Sequence, residues 1–151
     1  MIDKFYGDYR WLSNFWDAPI KIGDMTCKTV EHGYQAAKCA KQADVDAILA
    51  ADTPAAAKKL GQNVKIRKDW DNIKVKYMYT LVRQKFKQHK DLAQKLLDTN
   101  GEVLTEGNYW GDTFWGVCKG VGENWLGRIL MKVREELMLQ GIDKFCEKTD
   151  V

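Results

Sequence analysis

The stretch TVEHGYQAAK, from Thr29 to Lys38, places a carboxylate (Glu31), a carboxamide (Gln35) and an amine (Lys38) within ten residues. At about 100° per residue, a helix brings the three within about 60° of one another. They lie at the edge of an apolar face made by Val30, Gly33, Tyr34 and Ala37. Because Cβ atoms lean toward the helix N-terminus, Lys38 reaches back toward Gln35 and Glu31, and the three polar groups can converge on one small ligand. Such a set invites acid/base chemistry. The competing reading is an ordinary solvated helix edge, where most Glu and Lys side chains reside.

Other residues have chemistry without the same geometric argument. Asn14, in FYGDYRWLSNFW, sits in a loop with apolar walls, or is a turn residue bonding its own backbone. Trp70 is flanked by Asp69 and Asp71, an odd setting for a structural Trp, although capping of a core remains an alternative. The segment GNYWGDTFWGVCKGVGENW carries Asp112 and Trp115 among five glycines, a composition suited to backbone approaching something closely and aromatic rings walling it. A Gly-Asp pair is also a common turn. The glycines follow neither a dinucleotide fingerprint nor a Walker A pattern.

The chain that must position these groups has 151 residues, long enough to bury about two thirds of its unfolded surface. Its net charge of +3 does not announce a nucleic-acid binder. Six Trp and six Tyr give scope for stacking on a planar base, with Trp70, Trp110, Trp115 and Trp125 in polar or Gly-rich surroundings. Cys27, Cys39, Cys118 and Cys146 form no CxxC pair and the only histidines are His32 and His89, so neither a zinc site nor any other metal or cofactor is expected. With no apolar run of membrane-spanning length and no signal-like start, the expectation is a cytoplasmic protein with free thiols and no membrane partner.

Residues 5–16 read as a short strand entering a loop. Gly23-Asp24 between APIKI and MTCKT marks a β-hairpin of type II′ or a near relative. Thr29 is the expected N-cap of the helix carrying Glu31, whose ionised form the helix dipole favours. Two short Ala-rich helices follow at 43–51 and 54–60, the second with Thr53 as cap, Pro54 at its first position and Gly61 as stop. A long helix from about Asp71 to His89 is expected to bury Ile73, Tyr77, Leu81 and Val82 and to turn Lys76, Arg83 and Lys87 outward. Between Lys65 and Lys95 the charge is +7, leaving −4 for the rest, which reads as a solvated face or a surface for phosphates. Residues 91–97 continue helical, EVLTE reads as a strand, and Glu123–Leu139 is an amphipathic helix burying Leu126, Ile129, Leu130, Val133 and Leu137. The expected fold class is α+β, mostly helical with a small β-sheet, as a single compact domain over residues 1–140 with a polar tail over 141–151.

Taken together, the motifs resemble the NADAR (YbiA-like) family. They are FYG with LSNF at Leu12–Phe15, TVEHGYQAAK, AKKLG at Ala57–Gly61, Asp69-Trp70, DTFWG at Asp112–Gly116 and NWLGRILMKVR at Asn124–Arg134. The resemblance runs in the family's order from Phe5 to about Leu137. It implies an N-glycosidase that cleaves bonds between a base or amine nitrogen and the anomeric carbon of a ribose. Two substrate classes follow from it: phosphoribosylated pyrimidine intermediates of riboflavin synthesis, and ADP-ribose on guanine, including ADP-ribosylated DNA.

Carried over by motif, Glu31, Lys38, Asp112, Trp70 and Trp115 are the implied functional residues; Glu31, Lys38 and Asp112 are expected to be catalytic, and Trp70 and Trp115, together with Asn14 and Gln35 from their own positions in the sequence, to contact substrate. Glu31 would stabilise an oxocarbenium-like centre or relay protons, and Asp112 would hold a ribose hydroxyl or a water. Lys38, if desolvated, would attack C1 as a neutral amine, and the resemblance implies a Schiff base with the opened ribose in the guanine ADP-ribose reaction. One position departs from the pattern: Gly33 stands where relatives commonly have an aromatic, which is expected to alter helix packing and pocket shape. The alternatives are a non-catalytic ADP-ribose or nucleotide-binding module, and a single-strand binder using the 65–95 face.

Overall fold

The structure is a computed structural model and describes residues 1–148. The last three residues of the expected tail lie outside the described residues. The elements in order are a 3-10 helix (Gly7–Leu12), β1 (Ile20–Ile22), β2 (Met25–Cys27), α1 (Val30–Ala37), α2 (Gln42–Ala50), α3 (Pro54–Gly61), α4 (Trp70–Gln88), α5 (Lys90–Asp98), β3 (Gly107–Asn108), β4 (Val117–Cys118), α6 (Trp125–Gln140) and α7 (Ile142–Phe145). The fold is thus α+β and mostly helical, with two small two-stranded sheets. Among the described residues no helix is long and apolar enough to cross a membrane.

Backbone contacts group the chain into two compact units, Asn14–Lys85 and a second made of Met1–Ser13 with Phe86 onward. In the first, β1 and β2 pair antiparallel around Gly23-Asp24, with Ile20 opposite Cys27. Gly23 takes a φ of 57° while Asp24 stays at negative φ, the II′ pattern that a right-twisted hairpin favours. The hairpin leads into α1, which packs on α2 and α3. Small residues allow this: Ala36, Cys39, Ile48 and Ala57 form a buried cluster flanked by Val45, Leu49, Ala51 and Val64. Thr29 and Thr53 cap α1 and α3, accepting hydrogen bonds from the His32 and Ala56 amides at 3.2 and 3.1 Å.

In the other unit Leu92, Ala93 and Leu96 of α5 and Leu126, Ile129, Leu130, Val133 and Leu137 of α6 are all buried. The amphipathic reading of α6 therefore holds position by position. Its first turn is held by Asn124, in the left-handed region at a φ of 55°, whose side chain accepts from the Glu106 amide and donates to the Leu104 carbonyl, both at 2.9 Å.

Several expectations are corrected. Residues 7–12 form a 3-10 helix kinked at Tyr9 and not a strand, with Trp11 and Leu12 buried; of the aromatics that suggested a strand, Phe5 and Trp11 are buried while Tyr6, Tyr9 and Phe15 are exposed. EVLTE forms no strand, contributing only an isolated parallel bridge between Ile2 and Leu104. On α4, Tyr77 is exposed, and Met78, Lys85 and Phe86 join Leu81 and Val82 inside. Gly61 does not stop α3 by a left-handed turn; it is the helix's last residue, buried, with Gln62 as cap. The stretch after Gly141 is not wholly polar surface, since α7 buries Phe145.

Candidate active site

α1 begins where Thr29 ends its extended approach from β2. The Glu31 amide donates to the Asn14 carbonyl at 3.1 Å, tying the loop that carries Asn14 to the start of the helix. The Asn14 side chain turns to Met78, with Nδ2 3.5 Å from Sδ. His32, fully buried, locks the same turn: Nδ1 lies 2.8 Å from Thr29 Oγ1 and Nε2 2.9 Å from the Ala51 carbonyl. A carbonyl only accepts, so Nε2 carries the proton and Nδ1 accepts from the threonine hydroxyl. Burial then pushes the His32 pKa down, as does Lys28, whose ammonium donates to Ala51 and Ala50 carbonyls at 2.7 and 3.2 Å.

Glu31 and Gln35 are not at a solvated edge. They are only 7% and 5% exposed, and Gln35 Nε2 donates to Glu31 Oε1 at 2.8 Å. Lys38 is the C-cap of α1, half-buried, and its ammonium makes no hydrogen bond or ion pair with any described residue. Burial lowers its pKa, opposed by Cys39 and Glu31. A buried carboxylate and a desolvated amine on one helix are the arrangement that proton transfer and nucleophilic attack need.

Gly33 turns away from this group. A Cβ there would stand 2.6 Å from Leu81 Cδ2 and 3.1 Å from Cys27 Sγ, so glycine lets α1 approach α4 and β2 closely. Its effect is on packing beneath the polar side chains. Trp70 is 6% exposed and lies between aromatic neighbours, with Tyr34 at 5.3 Å and Tyr77 at 6.1 Å between ring centroids. It forms part of an aromatic wall with Tyr34, on α1, as the more accessible ring. Arg67 holds the outer side, bonding Asp69 at 2.8 and 3.1 Å and lying over Tyr77 with its Cζ 5.6 Å from the ring centroid.

Asp112 and Trp115 belong to the second unit. Asp112 Oδ1 accepts from the Phe114 and Trp115 amides at 3.1 and 2.9 Å, while Asn108 accepts from the Asp112 amide and donates to its carbonyl at 3.0 and 2.8 Å. One carboxylate oxygen is thus committed to shaping the turn that presents Trp115, whose ring meets Phe114 edge-on at 4.8 Å. Gly-rich composition signalled this loop, but the part of Asn108 went unread. A cavity of about 630 Å³ in the same unit is lined by Ile2, Tyr9, Trp11, Lys95, Thr99 and Glu102 among others, and none of the candidate residues lines it.

The basic stretch is largely engaged within the protein. Lys85 is buried, Lys87 donates to the Phe145 and Glu147 carbonyls at 3.0 and 2.8 Å, and Arg67, Lys74 and Lys90 pair with Asp69, Asp71 and Asp143. At least five of the ten basic residues between Lys65 and Lys95 are thus buried or have partners within the protein. Lys85, 1% exposed and with its pKa pushed down to about 7 by burial, went unread although it follows Leu81 by four residues on the apolar stripe.

The sequence pattern of the NADAR domain family matches residues 4–138. N-glycosidase Npun_R5314 of Nostoc punctiforme is 41% identical over 140 residues, covering 89% of each chain. N-glycosidase YbiA of Escherichia coli is 36% identical over 145 residues, 92% of this chain and 90% of that one. Riboflavin biosynthesis protein VVA0006 of Vibrio vulnificus is 38% identical over 133 residues, 86% of this chain and 36% of that protein. An NMR structure of the E. coli protein YbiA superposes with a TM-score of 0.83 at 34% identity, covering 95% of this chain and 90% of that one. Fold, helix-borne acid and amine, and these relatives together define an enzyme of the N-glycosidase class. The chain belongs to the NADAR family.

Proposed function

We propose that the chain hydrolyses the bond between a base or amine nitrogen and the C1 of a ribose, in substrates drawn from phosphoribosylated pyrimidine intermediates of riboflavin synthesis or ADP-ribosylated guanine in nucleic acid. The observation that carries the reading is the pairing, on α1, of buried Glu31 with a half-buried Lys38 whose ammonium form is disfavoured by desolvation. The VVA0006 name speaks for the pyrimidine branch of that protein, and the resemblance of motifs supplies the guanine branch.

Cleavage of an N-glycosidic bond builds positive charge on the sugar and negative charge on the departing base. Glu31, as a carboxylate, supplies an anion where the oxocarbenium-like charge develops; it takes a proton from the attacking nucleophile, Lys38 or water, and passes it to the departing base nitrogen. In the covalent route, neutral Lys38 attacks C1, the C1–N bond to the base breaks with its electron pair going to the base, and opening of the ring oxygen leaves a Schiff base. Water then adds to C1 and returns the amine. Within Asn14–Lys85, Trp70 with Tyr34, Asn14 and Gln35 bind base and sugar; the resemblance of motifs alone assigns Asp112, in the other unit, a ribose hydroxyl or the water, and Trp115 the base. The reaction takes place in the cytoplasm, without metal or cofactor.

The test uses purified wild type, Glu31→Ala and Lys38→Ala with both substrate classes, measuring release of base or ribose. Loss of turnover in Glu31→Ala is expected; undiminished turnover there overturns the assignment. Borohydride trapping of an adduct on Lys38 is expected in the covalent route, and full activity of Lys38→Ala would leave only direct attack by water.

A further inference from the structure

Gln35 Nε2 donates to Glu31 Oε1 at 2.8 Å, so the NH2 end of the carboxamide faces the carboxyl group. That fixes the other end. Gln35 Oε1 is buried and has no hydrogen-bond partner, a state native structures rarely leave without a reason. The oxygen rests against Gly61, the last residue of α3, and a methyl group added at Gly61 would overlap it. The same added carbon would lie 3.2 Å from Lys38 Nζ, so the orphan acceptor and the unengaged ammonium flank one point, and only the absence of a side chain at Gly61 keeps that point open.

We infer that Gln35 is a positioning residue, seated on Gly61, that joins Glu31 and Lys38 into one set: its NH2 orients the carboxylate, and its carbonyl oxygen, unpaired in the structure, is the acceptor to which the Lys38 ammonium swings across the space left open at Gly61. This rests on the reading that Glu31 and Lys38 work together. Nothing larger than glycine fits the seat without displacing the carboxamide, which gives the AKKLG segment a part in the site through its final residue. While Lys38 is charged, Oε1 holds it back from a substrate; loss of its proton releases the nitrogen together with its lone pair. Acting on Lys38 besides Gln35 are Glu31 from its own helix and Cys39 just beyond it. Of the packed helices, α3 carries Lys58 and Lys59, both exposed, and α2 carries Asp44, which acts on Cys39.

The experiment needs no substrate. Wild type, Gln35→Met and Gly61→Ala are reductively methylated over a range of pH, and modification of Lys38 is followed by peptide mass spectrometry. Methionine keeps the length of the side chain and removes its acceptor, whereas alanine at 61 pushes the carboxamide aside without changing any polar group. In both variants the midpoint for Lys38 modification is expected to fall by about half a pH unit or more, because the ammonium loses its acceptor. Where activity is present, the acid limb of the kcat profile moves with it. A folded Gln35→Met protein whose Lys38 midpoint equals that of wild type overturns the proposal, also if Gly61→Ala fails to fold. Raised KM with an unmoved midpoint overturns it too, making Gln35 a substrate contact only. Absence of base release by wild type would instead defeat the N-glycosidase reading while leaving the modification result to stand.

Discussion

His32 sits between the Thr29 hydroxyl and the Ala51 carbonyl, and replacing it with glutamine tests whether it holds the start of α1 in its neutral form. Gln reaches the Ala51 carbonyl but leaves the Thr29 hydroxyl without its acceptor, so at pH 7 the loss is one to two buried hydrogen bonds, about 1–2 kcal/mol. For a chain of this size that lowers Tm by about 2–8 °C. The pH dependence is the sharper part. Burial lowers the folded-state pKa of His32, so below about pH 6.5 the unfolded chain takes up a proton that the folded one refuses. Stability of the wild type therefore falls as pH drops through this window, at up to about 1.4 kcal/mol per unit, and the glutamine variant lacks this contribution. Urea unfolding followed by tryptophan fluorescence, compared between the two proteins at pH values from about 7.5 to 5.5, isolates it, since His89 is common to both. The stability gap is expected to shrink as pH falls. A gap constant across the range would show that His32 protonates as readily in the folded state as in the unfolded one, and the neutral-staple argument would fail.

Lys85 gives a second window of the same sign at higher pH: with a folded value of about 7, it stays charged in the unfolded chain up to its ordinary 10.5, so stability rises with pH between these values. Lys85→Met is expected to flatten that rise and to raise Tm near pH 7, as seen by thermal scans at several pH values. Asp112→Asn keeps an oxygen for the Phe114 and Trp115 amides, so its Tm should match wild type while kcat falls about tenfold or more if the carboxylate acts in the reaction; Asp112→Ala should lose both, and an Asn variant at full activity would reduce Asp112 to loop shaping. Gly33→Ala drives a methyl against Leu81 and Cys27 and is expected to cost about 1–2 kcal/mol by denaturant unfolding, with helix propensity returning part of the strain. An unchanged or higher Cm would refute the close-packing account.

Much of the fold could be read where a local rule decides. Thr29 and Thr53 are caps because their side chains answer nearby amides, Gly23 turns the hairpin because it accepts positive φ, and the α6 stripe follows from period alone. What escaped depends on neighbours distant in sequence. The helical angle put Glu31 and Gln35 at an edge, but both are buried, Gln35 against Gly61 of α3, and no pattern inside TVEHGYQAAK encodes that neighbour. Likewise Gly61 looked like a helix stop because glycines often are, whereas its value lies in the side chains its missing Cβ admits. Lys87 looks solvated in the sequence, yet carbonyls at and just beyond the end of α7 accept from it. The two aspartates flanking Trp70 make an odd setting for a structural Trp only in the sequence; in space Asp69 turns to Arg67, and the indole is enclosed by Tyr34 and Tyr77.

The short bridge at Ile2 bears on how the protein is made. Its amide donates to Val103 and its carbonyl accepts from Thr105, at 2.9 and 2.8 Å. On a ribosome the N-terminal residues must therefore wait unpaired while about a hundred more are added, at a rate of some 5–20 per second. Every contact internal to Asn14–Lys85 becomes available once Lys85 has emerged. The helix that carries Glu31 and Lys38 can thus be assembled seconds before the first residues of the chain find their place.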